Sequence, residues 1–151
     1  PAYKRGIGLD SSREMLAVAR SRLASSGLAH AQVRLADIAD LDADIGLGDV
    51  IVIHQVLHYF DDPGRMLAQA RTLLRPGGEI LIVDFAPHDL EFLRADHAHR
   101  RLGLSQEQMQ GWAEAAGLVV RSSREFPSDN QDRGLTVCLW HLGDRTNTDK
   151  A

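Results

Sequence analysis

The stretch from Asp49 to Phe85 constrains the fold more than any other part of the chain. Asp49-Val50-Ile51-Val52-Ile53 is apolar enough to be a strand buried on both faces, and it opens into the polar loop His54-Gln55-Val56-Leu57-His58-Tyr59-Phe60-Asp61. Asp62 can cap a helix whose first turn holds Pro63, where proline's missing N–H leaves no bond unmade. Met66, Leu67, Ala70, Leu73 and Leu74 then recur at helical spacing. Pro76-Gly77-Gly78 stops that helix and turns the chain into a second apolar strand, Glu79 to Phe85. The product is a strand–helix–strand unit with His54, Gln55 and His58 at the C-terminal end of its first strand. Open α/β sheets bind their ligands outside that end.

The flanking segments repeat the alternation. Arg5 to Leu9 reads as a strand, and Ser11-Ser12-Arg13-Glu14 as a capping box in which Ser11 starts a helix carrying Met15, Leu16, Ala19 and Leu23. Ser25-Ser26-Gly27 ends it, Gln32 to Ala36 is a second strand, and Leu41 to Gly48 is loop. Such alternation predicts a parallel sheet with helices on both faces. Beyond Phe85 the pattern changes. His88 to Arg100 reads as a polar helix, and Ser105-Gln106-Glu107-Gln108 as a second capping box, opening a helix to about Ala116 with Gly117 as its C-cap. Leu118 to Phe126 and Leu135 to Leu142, joined by the polar turn Pro127 to Gly134, read as an antiparallel hairpin. The expected domain is 1–142, followed by a polar, disordered tail over 143–151.

Bulk properties narrow the function. With 151 residues the chain is one domain by length. Seventeen Lys and Arg against 21 Asp and Glu give a net charge of −4, which argues against an electrostatic grip on nucleic acid. Arg13, Arg20 and Arg22 read as a solvated helix face. No apolar run approaches the roughly 20 residues that span a bilayer, and Pro1 to Gly6 lacks a secretory apolar stretch. The single cysteine, Cys138, excludes an internal disulfide, sits in an apolar strand pattern and fits a cytoplasmic location.

The words His54-Gln55-Val56-Leu57-His58-Tyr59-Phe60-Asp61-Asp62-Pro63 and Leu73-Leu74-Arg75-Pro76-Gly77-Gly78, with Gly6-Ile7-Gly8-Leu9-Asp10-Ser11 and Met15-Leu16 ahead of them, resemble class I S-adenosylmethionine (SAM) dependent methyltransferases. The nearest group is the ubiquinone and menaquinone biosynthesis methyltransferases. The resemblance implies a Rossmann-like α/β sheet, SAM as cofactor and a small-molecule methyl acceptor. It implies that Asp10, with Ser11 beside it, holds the ribose, that Asp37 and Ile38 flank adenine, and that His54 lies at the methionine end. Gln55 and His88 would face the acceptor, and His58 could take its proton, since an imidazole titrates near working pH. Catalysis in that family is mainly positioning and desolvation. The words Asp84-Phe85-Ala86-Pro87-His88-Asp89 and His97-Ala98-His99-Arg100-Arg101-Leu102-Gly103 resemble methyltransferase domains fused to ArsR-type repressors.

The resemblance covers residues 5 to 142 and omits one part. The family's first strand and its Gly-rich turn, which let the backbone approach the cofactor, have no counterpart here, so the fold is expected to lack its first βα unit. Either the chain is a fragment of a longer protein, or the flanking strands close up, or a homodimer fills the gap by swapping. Bland alternatives stand beside each site residue. Asp10 could simply serve a helix dipole, and His58 could pack against Tyr59 and Phe60. His88, Asp89, Glu91, Asp96, His97 and His99 are dense in metal-ligand types but match no closed zinc spacing, so a solvated helix or substrate lid is expected and no metal. At the level of function, a SAM- or effector-binding regulatory domain, a nicotinamide-dependent enzyme using Asp10 on its ribose, and a pure scaffold remain rivals.

Overall fold

The computed structural model describes residues 3–37, 45–128 and 134–145. The chain forms two compact units, Pro1–Ile45 and Gly46–Ala151. The first holds β1 (Gly6–Asp10), α1 (Arg13–Ser25) and β2 (Ala31–Leu35), with β1 and β2 paired in parallel, Gly6 opposite Ala31 and Asp10 opposite Leu35. This is the strand–helix–strand unit expected from the sequence, with β1 one residue later and β2 one residue earlier than read.

The second unit holds β3 (Gly48–His54), α2 (Pro63–Thr72), β4 (Leu74–Phe85), α3 (Phe92–His97), α4 (Gln106–Ala115), β5 (Leu118–Phe126) and β6 (Val137–Asp144). Its four strands lie in the order β3-β4-β6-β5. The β3–β4 pair is parallel, while β6 runs antiparallel to both β4 and β5. The hairpin read from the sequence is therefore present, and its second strand sits inside the sheet. Parallel and antiparallel strands thus stand together in a Rossmann-like α/β arrangement.

Alternation along β4 and β6 builds the core. Ile80 and Ile82, both 0 % exposed, lie opposite Leu142 and Trp140 in the β4–β6 register, and those two are equally buried. Burying a large aliphatic side chain contributes about 1.5–3 kcal/mol, so this stripe is a major source of stability. Cys138 joins the same face, as its strand pattern suggested. Asp62 accepts from the amide of Arg65 at 3.0 Å and starts α2 behind Pro63, as read. Met66, Leu67 and Ala70 form its buried stripe. Against α2 packs α4, and the approach is close enough that a Cβ on Gly64 would lie 2.9 Å from the Trp112 ring. The second capping box forms in full: Ser105 Oγ accepts from Gln108 N at 3.1 Å, and Ser105 N donates to Gln108 Oε1 at 3.0 Å.

Three readings need correction. Ser12, not Ser11, caps α1, accepting from the amide of Met15 at 3.2 Å. The polar helix expected over 88–100 shrinks to Phe92–His97, because Ala98 adopts a left-handed φ of 55° and ends it. The tail begins later than 143, since Gly143 and Asp144 finish β6 and Asp144 pairs with Arg71 of α2 at 2.7 Å. Ile38 and the first half of the loop read over 41–48 lie outside the described residues.

Candidate functional site

In the first unit, both candidate carboxylates come off one edge. Asp10 ends β1, and its Oδ1 accepts from the amide of Ser12 at 2.7 Å. That bond turns the chain into α1 and selects Ser12 as cap, leaving Ser11 exposed. The ladder continues past the strands, with Ala36 N donating to Asp10 O at 3.1 Å. Asp37 is the next residue, so it leaves the sheet at the same C-terminal end as Asp10. A carboxylate offers about four acceptor positions, and the Ser12 amide takes one of Asp10's, so the group fits a role as acceptor for ligand hydroxyls.

In the second unit the polar loop follows β3. His54 and Gln55 are exposed. Gln55 holds a φ of 49°, a left-handed conformation uncommon for a non-glycine residue, and donates to Val83 O at 2.6 Å. The loop then turns inward through a short 3₁₀ turn, Leu57–Tyr59. His58 is 2 % exposed, so the residue read as the acceptor's base is enclosed by protein here.

What encloses it was not visible in the sequence. Asp84 occupies the face of β4 that carries Ile80 and Ile82, and is 0 % exposed. Its Oδ1 lies 2.7 Å from His58 Nδ1 and accepts from Phe85 N at 2.8 Å. Its Oδ2 accepts from Leu57 N at 3.0 Å and His58 N at 3.3 Å. Every position of this buried anion is thus used, which is the condition for keeping a charge inside a protein. Across the imidazole lies His99, its ring centroid 4.2 Å away, with Tyr59 at 4.1 Å and Phe85 at 5.2 Å.

The segment from 98 to 104 is tied over His58 by its backbone. Arg100 N and Arg101 N both donate to His58 O at 3.0 Å, and Leu104 N donates to Phe85 O at 2.9 Å. The Arg101 guanidinium bonds Phe60 O at 3.2 Å and Asp61 O at 2.5 Å, and stands over the Trp112 ring. The turn at Ala98 separates His97, which is exposed, from His99, which is buried. His88 is half-buried, with Nδ1 accepting from Leu90 N at 3.3 Å. Burial pushes His99 and His88 below the ordinary imidazole pKa, and the charge of a protonated His58 pushes both the same way. Burial, with Glu125 nearby, raises the Cys138 thiol to about 11, so it is no nucleophile at neutral pH.

The structure therefore brings His58 together with Asp84, His99 and His88, and keeps Asp10 and Asp37 on one edge of the other unit. The alternation Ile80, Ile82, Asp84 was the available signal for Asp84. Among the described residues no three His, Cys, Asp or Glu side chains are arranged to hold a metal ion. A separate concavity of about 620 Å³ is lined by Arg94, Arg100, Arg101, Ser105 and Gln108 among others, and none of the predicted site residues lines it.

Parallel strands joined by crossover helices, with antiparallel strands beside them, define the class: a Rossmann-like α/β domain. Residues 3–131 match the family described as "Methyltransferase domain", and the chain belongs to that family. An uncharacterized 37.1 kDa protein in transposon TN4556 of Streptomyces fradiae is 34% identical over 97% of this chain and 45% of its own length. A ubiquinone biosynthesis O-methyltransferase of Aeromonas salmonicida is 27% identical over 76% of this chain and 53% of its own length. The chain thus spans about half the length of these curated relatives. Among solved structures, the YcgJ protein of Bacillus subtilis superposes with a TM-score of 0.74 at 19% identity, covering 94% of this chain and 83% of that one. The O-methyltransferase NcsB1 from neocarzinostatin biosynthesis, in complex with S-adenosyl-L-homocysteine and 1,4-dihydroxy-2-naphthoic acid, gives 0.72 at 22% identity, covering 93% and 42%.

Proposed function

We propose that this chain is the part of a SAM-dependent methyltransferase that holds the adenosine and presents the acceptor-side loops, acting on a small molecule in the cytoplasm. The observation that carries the reading is the exit of Asp10 and Asp37 from the same C-terminal edge of a parallel pair, within a family methyltransferase domain. Asp10 accepts from the ribose hydroxyls, with Ser11 alongside, and Asp37 with Ile38 receives adenine. His54 and Gln55 lie on the loop after β3 and His88 after β4, on the methionine and acceptor sides, and His58 takes the acceptor's proton. SAM, when bound, supplies a methyl group already activated on a sulfonium.

The relatives support an acceptor of small size, two of them being named for O-methyl transfer. The narrower kinship with domains fused to ArsR-type repressors rests on the resemblance of residues 84–89 and 97–103 alone, and a swapped homodimer on the sequence argument alone.

Calorimetry of S-adenosylhomocysteine against the chain tests the reading. Because the Gly-rich turn has no counterpart here, binding weaker than micromolar is expected, with Asp10→Ala weakening it by a further factor of roughly 10 to 100, the worth of one or two charge-assisted hydrogen bonds. NAD binding in its place, or binding indifferent to Asp10, would overturn it.

A further inference from the structure

Asp84, His58, His99 and His88 follow one another in order of rising exposure. The first three are 0, 2 and 7 % exposed, and His88 is half-buried. The Phe85 ring lies against all three imidazoles, at 5.2 Å from His58, 6.0 Å from His99 and 6.3 Å from His88. Each imidazole also has one buried nitrogen without a hydrogen bond: Nε2 of His58, Nδ1 of His99 and Nε2 of His88. His30 Nε2 and His141 Nε2 share this condition singly elsewhere, and here three such nitrogens gather around one phenyl ring.

The partners of the other nitrogens set the tautomers at the two ends. The Asp84 carboxylate at 2.7 Å places a proton on His58 Nδ1 and leaves a lone pair at Nε2. The amide of Leu90 donates to His88 Nδ1, so the His88 proton is on Nε2. The amide of Leu90 thus occupies the His88 lone pair, and the free lone pair of the cluster is His58 Nε2, whose ring lies 4.2 Å from that of His99. A proton passed from His99 to His58 moves inward, toward a buried anion that steadies an imidazolium.

We propose that His99 and His58 form a proton relay ending at Asp84, in which the proton given up by the methyl acceptor comes to rest on His58. This rests on the methyl-transfer reading above. The acceptor's lone pair forms the bond to the methyl carbon while the carbon–sulfur bond breaks, its electrons remaining on sulfur. The acceptor's proton leaves to His99 Nε2 while His99 Nδ1 gives its proton to His58 Nε2, producing an imidazolium beside the Asp84 carboxylate. The same row returns the proton to water afterwards. The two rings do not hydrogen-bond each other as they stand, and the transfer requires a rotation of the His99 ring. The surrounding charges fit one extra proton at a time. A proton on His58 disfavours protons on His99 and His88, His97 acts on His99 in the same sense, and Asp89 beside His88 and Asp84 near His99 act oppositely.

Nitrogen-15 NMR of the histidine-labelled chain tests the relay without any acceptor. At neutral pH His58 is expected as the Nδ1–H tautomer and His88 as Nε2–H. Exchange of the His58 ring protons with water is expected to slow by about tenfold or more in His99→Phe, since a positioned proton-transfer group has been removed. His99→Gln, which fills the space but carries no proton through, should show the same slowing if His99→Phe does not fold. Imidazole added to His99→Gly should restore the rate. An Nε2–H tautomer at His58, or exchange indifferent to His99, would overturn the relay. S-adenosylhomocysteine calorimetry on the same samples separates the two ideas. Ligand binding with exchange indifferent to His99 removes the relay alone. Slowed exchange without ligand binding keeps the relay and removes the methyl-transfer reading.

Discussion

Replacing Asp84 by Asn is the most demanding test of the arrangement around His58. The carboxylate receives four bonds, two at each oxygen: Leu57 N and His58 N at Oδ2, Phe85 N and His58 Nδ1 at Oδ1. An amide keeps one oxygen. Its NH₂ group must then face either two backbone donors or the Phe85 amide and the imidazole. Facing the imidazole the amide loses only the Phe85 bond, because His58 can accept at Nδ1 in its other tautomer, so with about 1–3 kcal/mol for each unsatisfied donor the expected destabilisation is about 1–3 kcal/mol. Asp84→Ala removes the acceptor of all four bonds at once and should cost more than the Asn variant, at about 1–3 kcal/mol for each buried donor left unpaired. Small domains have only about 5–15 kcal/mol in total, so the alanine variant should sit near the limit of folding. Urea unfolding followed by circular dichroism measures this. With a slope of about 1–3 kcal/mol/M, the Asn variant's midpoint should fall by roughly 1 M at unchanged slope. Asp49→Asn is the control, because its ion pair with Arg75 is exposed and worth about 0–1 kcal/mol. Equal small shifts in the two Asn variants would refute the account of Asp84 as a buried, fully engaged anion.

Gly103 holds a φ of 84°, and a Cβ there would run into the backbone of Ala86 and Pro87, so Gly103→Ala should displace the 98–104 segment and cost more than the ~1–2 kcal/mol of a left-handed residue alone, read as loss of amide protection at Leu104. Ser12→Ala should cost about 0.5–2 kcal/mol of stability while Ser11→Ala costs almost nothing, a difference that thermal unfolding resolves. His99 and His88 titrate below the ordinary value of 6.5, so the unfolded chain takes up protons first on acidification. Stability should therefore be full above about pH 6.5 and decline as the pH falls through the depressed values, with a shallower decline in His99→Gln when urea midpoints are compared from pH 8 to 5.

The parts of the fold legible in the sequence are those set by short-range signals. Asp62 with Pro63 and Ser105 with Gln108 act within three residues, and both helices start where those residues stand. Leu118–Phe126, bounded by Gly117 and Pro127, forms to the residue. Two adjacent serines were undecidable, because the choice rests on where the Asp10 side chain bonds. The helix read over 88–100 has suitable composition, but its last residues bond backbone of the His58 turn, so tertiary contacts override propensity. For the candidate site, Asp10, Asp37 and the loop after β3 were visible as strand-end polar residues. The Asp84–His58 bond spans 26 residues and the His99 contact is set by one left-handed residue, neither of which has a local signature.

The placement of Asp84 on the Ile80 and Ile82 face carries a further consequence. Side chains alternate along a strand, so one inserted or deleted residue between Ile80 and Asp84 would exchange the two faces. Val83 would then lie under the histidine turn and the carboxylate would face the other way, while the isoleucines before the change stayed put. Proton chemistry and core packing thus share one parity, and β4 can change length there only in steps of two. The 98–104 segment obeys no such rule. It is held largely through backbone groups, so its exposed side chains can be exchanged one at a time without disturbing the carboxylate beneath.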